Sequence, residues 1–166
     1  MVASGVSAIT RGPQSKVIDG ANRGVSLTDA DRFYLDGQRL VLVAGIHGAP
    51  NSEYRTEIDS ITRIVANGSA GSGPASFTVY TKAGLVLQFG QTADSALDAM
   101  SSGAGEAALL PRRKGLVACQ SHHRHHGPFM TFEYEEDAVQ GSHRPHRINY
   151  TTAAAESPVR VASFRV

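Results

Sequence analysis

The feature that most constrains the fold is a short hairpin signal at residues 31–43, DRFYLDGQRLVLV. Phe33 and Leu35 alternate with Tyr34, and Asp36-Gly37 follows at once. An Asp-Gly pair suits a two-residue type I′ turn, because both central positions need a positive φ that these residue types tolerate. We therefore predict a hairpin that continues as a β-strand over 38–43. Apolar residues at both even and odd positions of 40–43 predict that this strand is covered on both faces.

Alternating apolar residues predict further strands, each bounded by turn residues. The segment 53–60 alternates Tyr54, Thr56 and Ile58 with charged residues, which predicts one wet face or cross-strand ion pairs. Residues 61–66 are expected to continue it after a bend. Beyond the loop NGSAGSGP at 67–74, two strands at 77–81 and 85–89 flank a three-residue turn. Gly84 is the candidate for the left-handed position of that turn.

The remaining segments have weaker patterns. We interpret residues 4–27 as loops and short strands. The apolar spacing over 91–100 predicts a short helix, with Thr92 or Asp94 as its N-cap. Residues 101–128 have no clear period, and strands are expected again at 130–134 and 147–151. The predicted fold class is therefore mainly β, with antiparallel hairpins that form a sheet and at most one short helix.

Composition removes several classes of function. The 166 residues suffice for one domain. A net charge of +1, without a clustered basic excess, does not predict a nucleic-acid partner. Cys119 is the single cysteine, so no intrachain disulfide can form. No apolar run reaches the roughly 20 residues that cross a bilayer, and the first residues lack the features of a secretory signal peptide. We expect no membrane-spanning segment.

A histidine-rich stretch, SHHRHH at 121–126, is the most conspicuous candidate for chemistry. Its four histidines and a nearby cysteine carry the atoms that bind Zn²⁺ or Ni²⁺. Their spacing is wrong for a folded site, because four ligands within five positions cannot all face one tetrahedral ion. We therefore expect a polar, weakly ordered stretch with adventitious metal affinity, and no native metal site or cofactor at these residues: Cys119, His122, His123, His125 and His126.

No other pattern predicts catalysis. Glu57 and Asp59 would share a strand face with Glu53, but Arg55 beside them should keep the carboxylates ionised. The chain contains no G-x-S-x-G elbow, P-loop or G-x-G-x-x-G. The basic cluster at 112–114 has no interleaved aromatic residues and is typical of a solvated turn. We predict that the chain is not an enzyme and has no catalytic or cofactor-binding residues.

Five stretches of the chain resemble the SpvB-type N-terminal domain of bacterial Tc insecticidal toxin B components and related Rhs-repeat and virulence-plasmid proteins. Their order and spacing match that family over most of the chain, most strongly at 4–100 and 130–151. The stretches are SGVSAITRGPQ (4–14), DRFYLDGQRLVLVAG (31–45), EYRTEIDSITRIVANG (53–68), GPASFTVYTKAGLVLQFG (73–90), and MTFEYEEDAVQG with RPHRINYT (130–151).

The resemblance implies a partial SpvB-type domain over 1–166, taken from inside a large exported protein. In that family the domain is a β-structured scaffold, so the sheet is expected to be a fragment of a larger β scaffold. Any toxic enzyme, such as the ADP-ribosyltransferase of the virulence-plasmid relatives, lies in a separate C-terminal part. The Tc B component helps to enclose that part in a hollow shell. The implied function is a non-catalytic structural segment of a secreted bacterial toxin or virulence protein. Its implied partners are other segments of the same toxin chain and other toxin-complex subunits.

The resemblance breaks at 104–128 and again at 156–166. The histidine-rich stretch lies in the first break. Our hypothesis is that parts of these segments are degenerate or were translated in a shifted reading frame. Resequencing the gene would test it, since an intact frame encoding the same segment in close relatives would contradict it.

Two alternative functions remain open at this stage. One is a β-sheet module that binds glycans or protein partners, which a glycan array would distinguish from a scaffold. The other is a metalloenzyme centred on the histidine-rich stretch, which metal analysis after chelation and dialysis would test. For a scaffold segment we also expect exposed apolar edges around residues 40–43, and therefore association and poor solubility in isolation.

Overall fold

The computed structural model describes residues 7–58, 61–92, 96–98, 114–124, 129–137, 142–150 and 160–163. Within these ranges the chain forms twelve strands and a single four-residue helix, which confirms the predicted mainly β fold with at most one short helix. The elements are β1 Ala8–Gly12, α1 Lys16–Asp19, β2 Arg32–Leu35, β3 Gln38–Ala44, β4 Glu53–Thr56, β5 Arg63–Asn67, β6 Ser76–Tyr80, β7 Leu85–Phe89, β8 Ala96–Asp98, β9 Lys114–Arg124, β10 Phe129–Asp137, β11 Ser142–Tyr150 and β12 Arg160–Ser163.

All the described strands pair antiparallel, and most neighbours in the sheet are also neighbours in sequence. The order runs from β1 to β7 and then through β9, β10, β11 and β12. The long strand β9 pairs with β7 and β10 near its C-terminal end and with β1 and β8 near its N-terminal end. Because β9 reaches both β7 and β1, the pairings return to the first strand, and the sheet curls around one apolar interior.

The Asp-Gly hairpin is confirmed. Asp36 and Gly37 have φ values of 49° and 82°, as a type I′ turn requires. Leu35 pairs with Gln38 across the turn, and Tyr34 pairs with Arg39. The Asp36 carboxylate also accepts a hydrogen bond from the Ala8 amide at 2.8 Å. The turn is therefore tied to β1 as well as to its own two strands.

The expectation that β3 is covered on both faces is wrong. Its buried residues are Arg39 and Leu40, whereas Val41, Leu42 and Val43 are exposed by 44%, 37% and 52%. Among the described residues, β3 continues beyond Arg39 beside β4 and not β2, and a β-bulge at Val43 interrupts the alternation of its two faces. The second half of β3 is thus the exposed apolar edge that was expected for a scaffold segment.

The second hairpin is confirmed, while the strand predicted at 53–60 is shorter than expected. Gly84 has a φ of 75° in the three-residue turn between β6 and β7.

Strand β4 ends at Thr56, and Ile58 is exposed by 74% instead of sharing the buried face of Tyr54. Residues 63–67 do not continue β4 after a bend. They form β5, which turns back and pairs antiparallel with β4.

The short helix predicted at 91–100 is wrong within the residues that the structure describes there. Residues Ala96–Asp98 form β8, which pairs with β9. The N-cap candidate Asp94 lies outside the described residues. The segment without a clear period contains the eleven-residue strand β9, and the weakly matching end of the chain contains β12. Strands β10 and β11 confirm the two strands predicted after residue 129, and both are longer than the patterns indicated.

An aromatic group lies at the centre of the apolar core. The Phe33 ring packs edge-on against Phe77 at 5.3 Å and against Tyr54 at 5.8 Å, both measured between ring centroids. Burial of each large apolar side chain stabilises the fold by roughly 1.5 to 3 kcal/mol, so the core depends on these rings. The core residues are Ile9, Phe33, Leu40, Tyr54, Ile64, Ala66, Phe77, Val79 and Phe89.

Gly12, at the end of β1, is a position where a side chain has no room. A Cβ atom there would overlap the ring of Tyr34, which pairs with the neighbouring residue Thr10 on the adjacent strand. The absence of a side chain lets the Tyr34 ring lie across β1. From there its hydroxyl donates a hydrogen bond to the Pro13 carbonyl at 3.2 Å.

Candidate functional site

Several charged side chains with little exposure lie beside the aromatic core, on β1, α1, β2, β3 and the loop before β2. They are unusual because charged residues are rarely buried unless they are paired. We call the acidic and basic members the charged cluster, and it consists of Arg11, Asp19, Asp31, Arg32 and Arg39.

Asp19 fixes helix α1 to the sheet. Arg39 Nη2 and Arg32 Nε both donate to Asp19 Oδ1, at 2.5 Å and 2.7 Å, and the Ser15 amide donates to Oδ2 at 2.8 Å. The side chains of Asp19 and Arg39 are only 4% and 8% exposed. The Arg39 hydrogen bond, followed by those of Arg32 and Ser15, holds the pKa of Asp19 well below its usual range despite the opposing effect of burial. This one-turn helix is therefore held by charge pairing.

Arg11 joins two loops to β1. Its Nη1 donates to the Thr28 carbonyl at 2.6 Å, and its Nη2 donates to the Ser72 carbonyl at 3.1 Å. Its guanidinium also lies over the Phe33 ring, with Cζ 5.5 Å from the ring centroid. A side chain that is 5% exposed thus connects segments 61 residues apart in sequence. Arg11 organises backbone carbonyls that would otherwise be buried without donors.

Asp31 faces Arg11 from the start of β2. Its Oδ1 accepts hydrogen bonds from the Ser26 amide at 2.8 Å and the Ser26 hydroxyl at 3.0 Å. Its Oδ2 accepts no hydrogen bond from the described residues and lies 3.7 Å from Arg11 Nη1. The charge of Arg11 therefore compensates a carboxylate that is 2% exposed. The pair positions the 24–31 loop against the sheet.

His47 lies in the turn between β3 and β4 and has both ring nitrogens engaged. Its Nε2 is 2.7 Å from the Asp31 carbonyl oxygen, which can only accept, so Nε2 carries the proton. Its Nδ1 is 3.3 Å from the Tyr54 hydroxyl. Burial lowers the pKa of His47, and the charges of Arg32, Arg11 and Arg39 act in the same direction. The ring is therefore neutral in the folded protein at neutral pH.

The Tyr54 hydroxyl connects the same turn to the core. It accepts a hydrogen bond from the Gly48 amide at 2.8 Å, and Ser52 Oγ lies 3.2 Å from it. The Ser52 hydroxyl itself donates to the Ala49 carbonyl at 2.7 Å. Tyr54 and Ser52 are fully buried. Their hydroxyls therefore shape the turn at 45–52 from inside.

This arrangement of serine, tyrosine and histidine differs from a nucleophilic site. A catalytic serine needs a hydrogen bond to its base and access to substrate. The Ser52 hydroxyl is enclosed and bonded to a backbone carbonyl, and His47 Nε2 is bonded to another. Among the described side chains, no group of three or more His, Cys, Asp or Glu could hold a metal ion. The contacts of Ser52, Tyr54 and His47 fix the 45–52 turn to the sheet.

The conspicuous histidine-rich stretch lies elsewhere, on and beyond β9. Backbone pairing places Cys119 opposite Phe89, and His122 opposite Leu87 on one side and Met130 on the other. His123 follows in the same strand, whereas His125 and His126 lie outside the described residues. The expectation that this stretch is weakly ordered is therefore wrong up to residue 124, where it belongs to a strand that pairs with both β7 and β10.

The charged strand at 53–60 yields the cross-strand ion pair that was predicted. Arg63 on β5 donates through Nε and Nη2 to Glu53 Oε1 on β4, and Arg63 also lies over the Tyr80 ring. Glu57 is exposed beyond the end of β4, and Asp59 lies outside the described residues. Glu53 and Arg63 are 30% and 55% exposed, so the pair lies at the surface.

Sequence patterns missed the charged cluster and the 45–52 turn. Asp19 occurs in a segment with no clear pattern, whereas Arg32 and Arg39 occur in the predicted hairpin, where nothing in the pattern indicates a partner. The three meet only because the fold brings α1 beside β2 and β3. The one usable signal was the lone His47 within a Gly-rich turn, followed by Ser52 and Tyr54. A single histidine of this kind is more often structural than catalytic, and in this chain its contacts are with the backbone and the core.

The fold and the charged cluster together define a curled antiparallel β-sheet whose loops are held by buried charged residues. Comparison with solved structures gives its relatives. One similar structure is the N-terminal domain of effector protein SpvB from Salmonella typhimurium strain LT2, with a TM-score of 0.64 and 16% identity over 95% of this chain. A second is the Photorhabdus luminescens Tc holotoxin pore, with a TM-score of 0.63 and 15% identity. A third is the TcdB2-TccC3-Cdc42 structure, with a TM-score of 0.61 and 14% identity. Each of these two matches covers 87% of this chain.

These matches show an SpvB-like and Tc-toxin-like fold and confirm the fold that the sequence resemblance implied. The chain spans 58% of the length of the SpvB domain chain, and 7% and 8% of the two Tc toxin chains. No protein-family model and no curated protein matches the sequence. In the described residues, no helix is long and apolar enough to cross a membrane.

Proposed function

We propose that this chain is a non-catalytic structural segment of a secreted bacterial toxin, and that it helps to form the scaffold that encloses or delivers a toxic C-terminal part. The observation that carries the proposal is the match of 95% of the chain to the SpvB N-terminal domain fold. The Tc toxin matches support partners among toxin-complex subunits.

The contacts of the buried polar residues support a structural role. Arg11 and His47 bond to backbone carbonyls, and Tyr54 bonds to the 45–52 turn. The Asp19 carboxylate accepts hydrogen bonds from Arg39, Arg32 and the Ser15 amide. Catalytic groups need access to a substrate and a proton or electron pair free to move. Side chains with these contacts stabilise loops and would be poor catalysts.

The decisive experiment uses the complete polypeptide that contains this segment. Limited proteolysis followed by mass spectrometry would measure how fast the part that follows the scaffold is cleaved. We expect that part to be protected in the intact protein and to be cleaved rapidly after deletion of residues 8–89. Replacing Asp29, an exposed turn residue, by alanine is the control and should leave protection unchanged. Equal cleavage rates with and without the segment would contradict the proposal.

The absence of catalysis needs its own measurement. The purified 166-residue chain should not transfer labelled ADP-ribose from NAD⁺ to proteins of a eukaryotic extract, the activity that the family resemblance assigns to a separate domain. Incorporation above the level of a heat-denatured sample would contradict the non-catalytic part of the proposal. Incorporation that disappears on replacing His47 by glutamine would locate a catalytic site in the 45–52 turn.

A further inference from the structure

The two ends of the 45–52 turn are attached to the sheet by different means. Its second end is bonded through the backbone, because the Asn51 amide donates to the Ala66 carbonyl at 2.8 Å and the Ala66 amide donates to the Ser52 carbonyl at 3.0 Å. Backbone bonds of this kind do not depend on the ionisation of a side chain. Residues 51–52 should therefore stay bonded to β5 whatever the charge on the residues around them.

The first end, residues 45–48, reaches the sheet through a histidine and a tyrosine. His47 Nε2 donates to the Asp31 carbonyl at 2.7 Å, and the Gly48 amide donates to the Tyr54 hydroxyl at 2.8 Å. Gly45, where this segment leaves β3, has a φ of 86°, a conformation that glycine adopts without strain and that allows the chain to hinge there. The attachment of residues 45–48 thus involves one ionisable ring.

The contacts of His47 are those of a neutral ring. Because Nε2 carries the proton, Nδ1 is the acceptor for the hydrogen of the Tyr54 hydroxyl, 3.3 Å away. A proton taken from solvent onto Nδ1 would point at that same hydroxyl, whose hydrogen would then have to turn toward Ser52 Oγ at 3.2 Å. The hydroxyl oxygen already accepts the Gly48 amide. Protonation therefore disturbs both bonds that hold residues 45–48.

The surroundings of His47 also carry an excess of positive charge. The three arginines of the charged cluster face two carboxylates, and each carboxylate is already paired with arginine. The Phe33 ring, which His47 contacts at 5.0 Å between ring centroids, also lies beneath the Arg11 guanidinium, 5.5 Å from its Cζ. The charged and titratable groups of the described elements around the ring are Arg11 on β1, Asp19 on α1, Asp31 before β2, Arg32 on β2, Arg39 on β3 and Tyr54 on β4.

We propose that His47 is an acid-sensitive latch, whose protonation in mildly acidic solution releases residues 45–48 from the sheet while residues 51–52 stay bonded to β5. Release would uncover the aromatic core, because the His47 ring lies against Phe33 at 5.0 Å and against Tyr54 at 5.8 Å. The inference goes beyond the scaffold function and holds whether or not the chain encloses a toxic part.

The pH range of the latch follows from the sign of the effect. Burial lowers the pKa of His47, the charges of Arg32, Arg11 and Arg39 add to this, and the hydrogen bond to the Asp31 carbonyl opposes it. The neutral ring therefore stabilises the closed turn above the unfolded pKa of about 6.5, and this stabilisation is lost as the pH falls below that value. Asp19 acts at lower pH, below its unfolded pKa of about 3.9, so the two effects are separable.

Hydrogen exchange of the whole chain, followed for single amides by NMR, tests the latch. At each pH the measured rate is divided by the rate of an unstructured chain at that pH, so that the pH dependence of exchange itself cancels. Between about pH 7.5 and about pH 5.5, protection of the Gly48 amide should fall several-fold. The Asn51 amide, bonded to Ala66, is the internal control and should keep its protection.

Two variants separate His47 from other groups that titrate. Glutamine in His47→Gln keeps a donor for the Asp31 carbonyl and an acceptor for the Tyr54 hydroxyl, but it takes up no proton in this pH range. Protection of Gly48 in this variant should therefore be equal at the two pH values. His146→Gln removes a partly exposed histidine from β11 and is the matched control, in which Gly48 should lose protection as in the wild type.

A measurement on the wild type alone adds a second test. The NMR titration of the His47 ring protons and the loss of Gly48 protection should have the same midpoint, below the unfolded value of about 6.5. Different midpoints would overturn the proposal, and this test remains if His47→Gln does not fold. Constant protection of Gly48 in the wild type, or a fall that persists in His47→Gln, would overturn it as well. An equal fall at Asn51 would show that opening is not confined to residues 45–48, and a fall that disappears in His146→Gln would assign the effect to another histidine; either result contradicts the latch.

Discussion

Asp19 and Glu53 each bind an arginine on a neighbouring part of the sheet, yet the two pairs lie in opposite surroundings. The Asp19–Arg39 pair is buried beside the core, with side chains 4% and 8% exposed. The Glu53–Arg63 pair lies at the surface, with side chains 30% and 55% exposed. Arginine hydrogen bonding lowers the pKa of both carboxylates. Burial, and not the presence of a partner, should decide how much each pair matters to stability.

The comparison teaches that the two regions depend on different interactions. Near α1, removal of one charge leaves another charge buried without a partner, and water cannot replace the lost bonds. Between β4 and β5, water and salt ions can take over from the missing group. The following substitutions and conditions test that difference, beginning with the largest expected effect.

Replacing Asp19 by alanine should destabilise the fold by about 3 to 5 kcal/mol, because Arg39 is left buried without its carboxylate. Urea denaturation followed by circular dichroism measures the change in the free energy of unfolding. Asp29→Ala removes an exposed carboxylate from a nearby loop and is the control, with no expected change. A loss for Asp19→Ala no larger than that for the control would remove the distinction between the two regions.

Acid should reproduce part of that loss. The pKa of Asp19 is lowered in the folded state, so its ionised form stabilises the fold above the unfolded value of about 3.9, and this contribution disappears as the pH falls below it. The urea midpoint of the wild type should therefore fall between pH 5 and pH 2.5. The variant Asp19→Asn, which starts from a lower midpoint, should fall less over the same range. If the urea midpoints of the wild type and of Asp19→Asn fell by the same amount over this pH range, Asp19 would not be the source of the acid sensitivity.

Replacing Tyr54 by phenylalanine should cost about 1 to 3 kcal/mol, since the ring remains while the Gly48 amide and His47 Nδ1 lose their partner. Tyr80→Phe, which removes a hydroxyl from a partly exposed ring, is the matched control and should change little. Chemical denaturation compares the two. Faster hydrogen exchange at Gly48 in the Tyr54 variant, and not in the control, would locate the effect in the 45–52 turn.

Glu53→Gln should have the smallest effect, with an unfolding midpoint that matches the wild type within measurement error. Arg63 keeps its contact with the Tyr80 ring and gains water in place of the carboxylate. Raising the salt concentration should remove any remaining difference. A loss as large as that of Asp19→Ala would show that exposure does not separate the two pairs.

The local parts of the fold were predictable from the sequence. The Asp36-Gly37 turn and the Gly84 turn have residue types that only a few backbone conformations accommodate, and both were predicted correctly. The length of β4 was not, because Ile58 continues the alternation after the strand has ended at Thr56. Strand β8 was mistaken for a helix because the apolar spacing over 91–100 matches a helical period, whereas pairing with β9 decides the conformation of Ala96–Asp98.

The charged cluster and the exposed edge required the three-dimensional arrangement. Arg11, Asp19 and Arg39 are ordinary charged residues in the sequence. The packing of α1 on the sheet buries Asp19 and Arg39, and the loops at Thr28 and Ser72 enclose Arg11. The apolar residues 40–43 predicted burial on both faces, but three of them are exposed in the fold, around the β-bulge at Val43. Local sequence patterns indicate which residues favour a strand, but they do not indicate which other segments will pair with that strand or cover it.

The contact between Gly12 and the Tyr34 ring has a consequence for how this domain can vary during evolution. Because a Cβ atom at position 12 would overlap the ring, neither residue can change alone without loss. In homologous sequences, a larger residue at position 12 should therefore occur together with a smaller residue, or a redirected ring, at position 34. The two positions should covary across the two paired strands, and that covariation would mark the β1–β2 pairing in relatives too distant to align by overall identity.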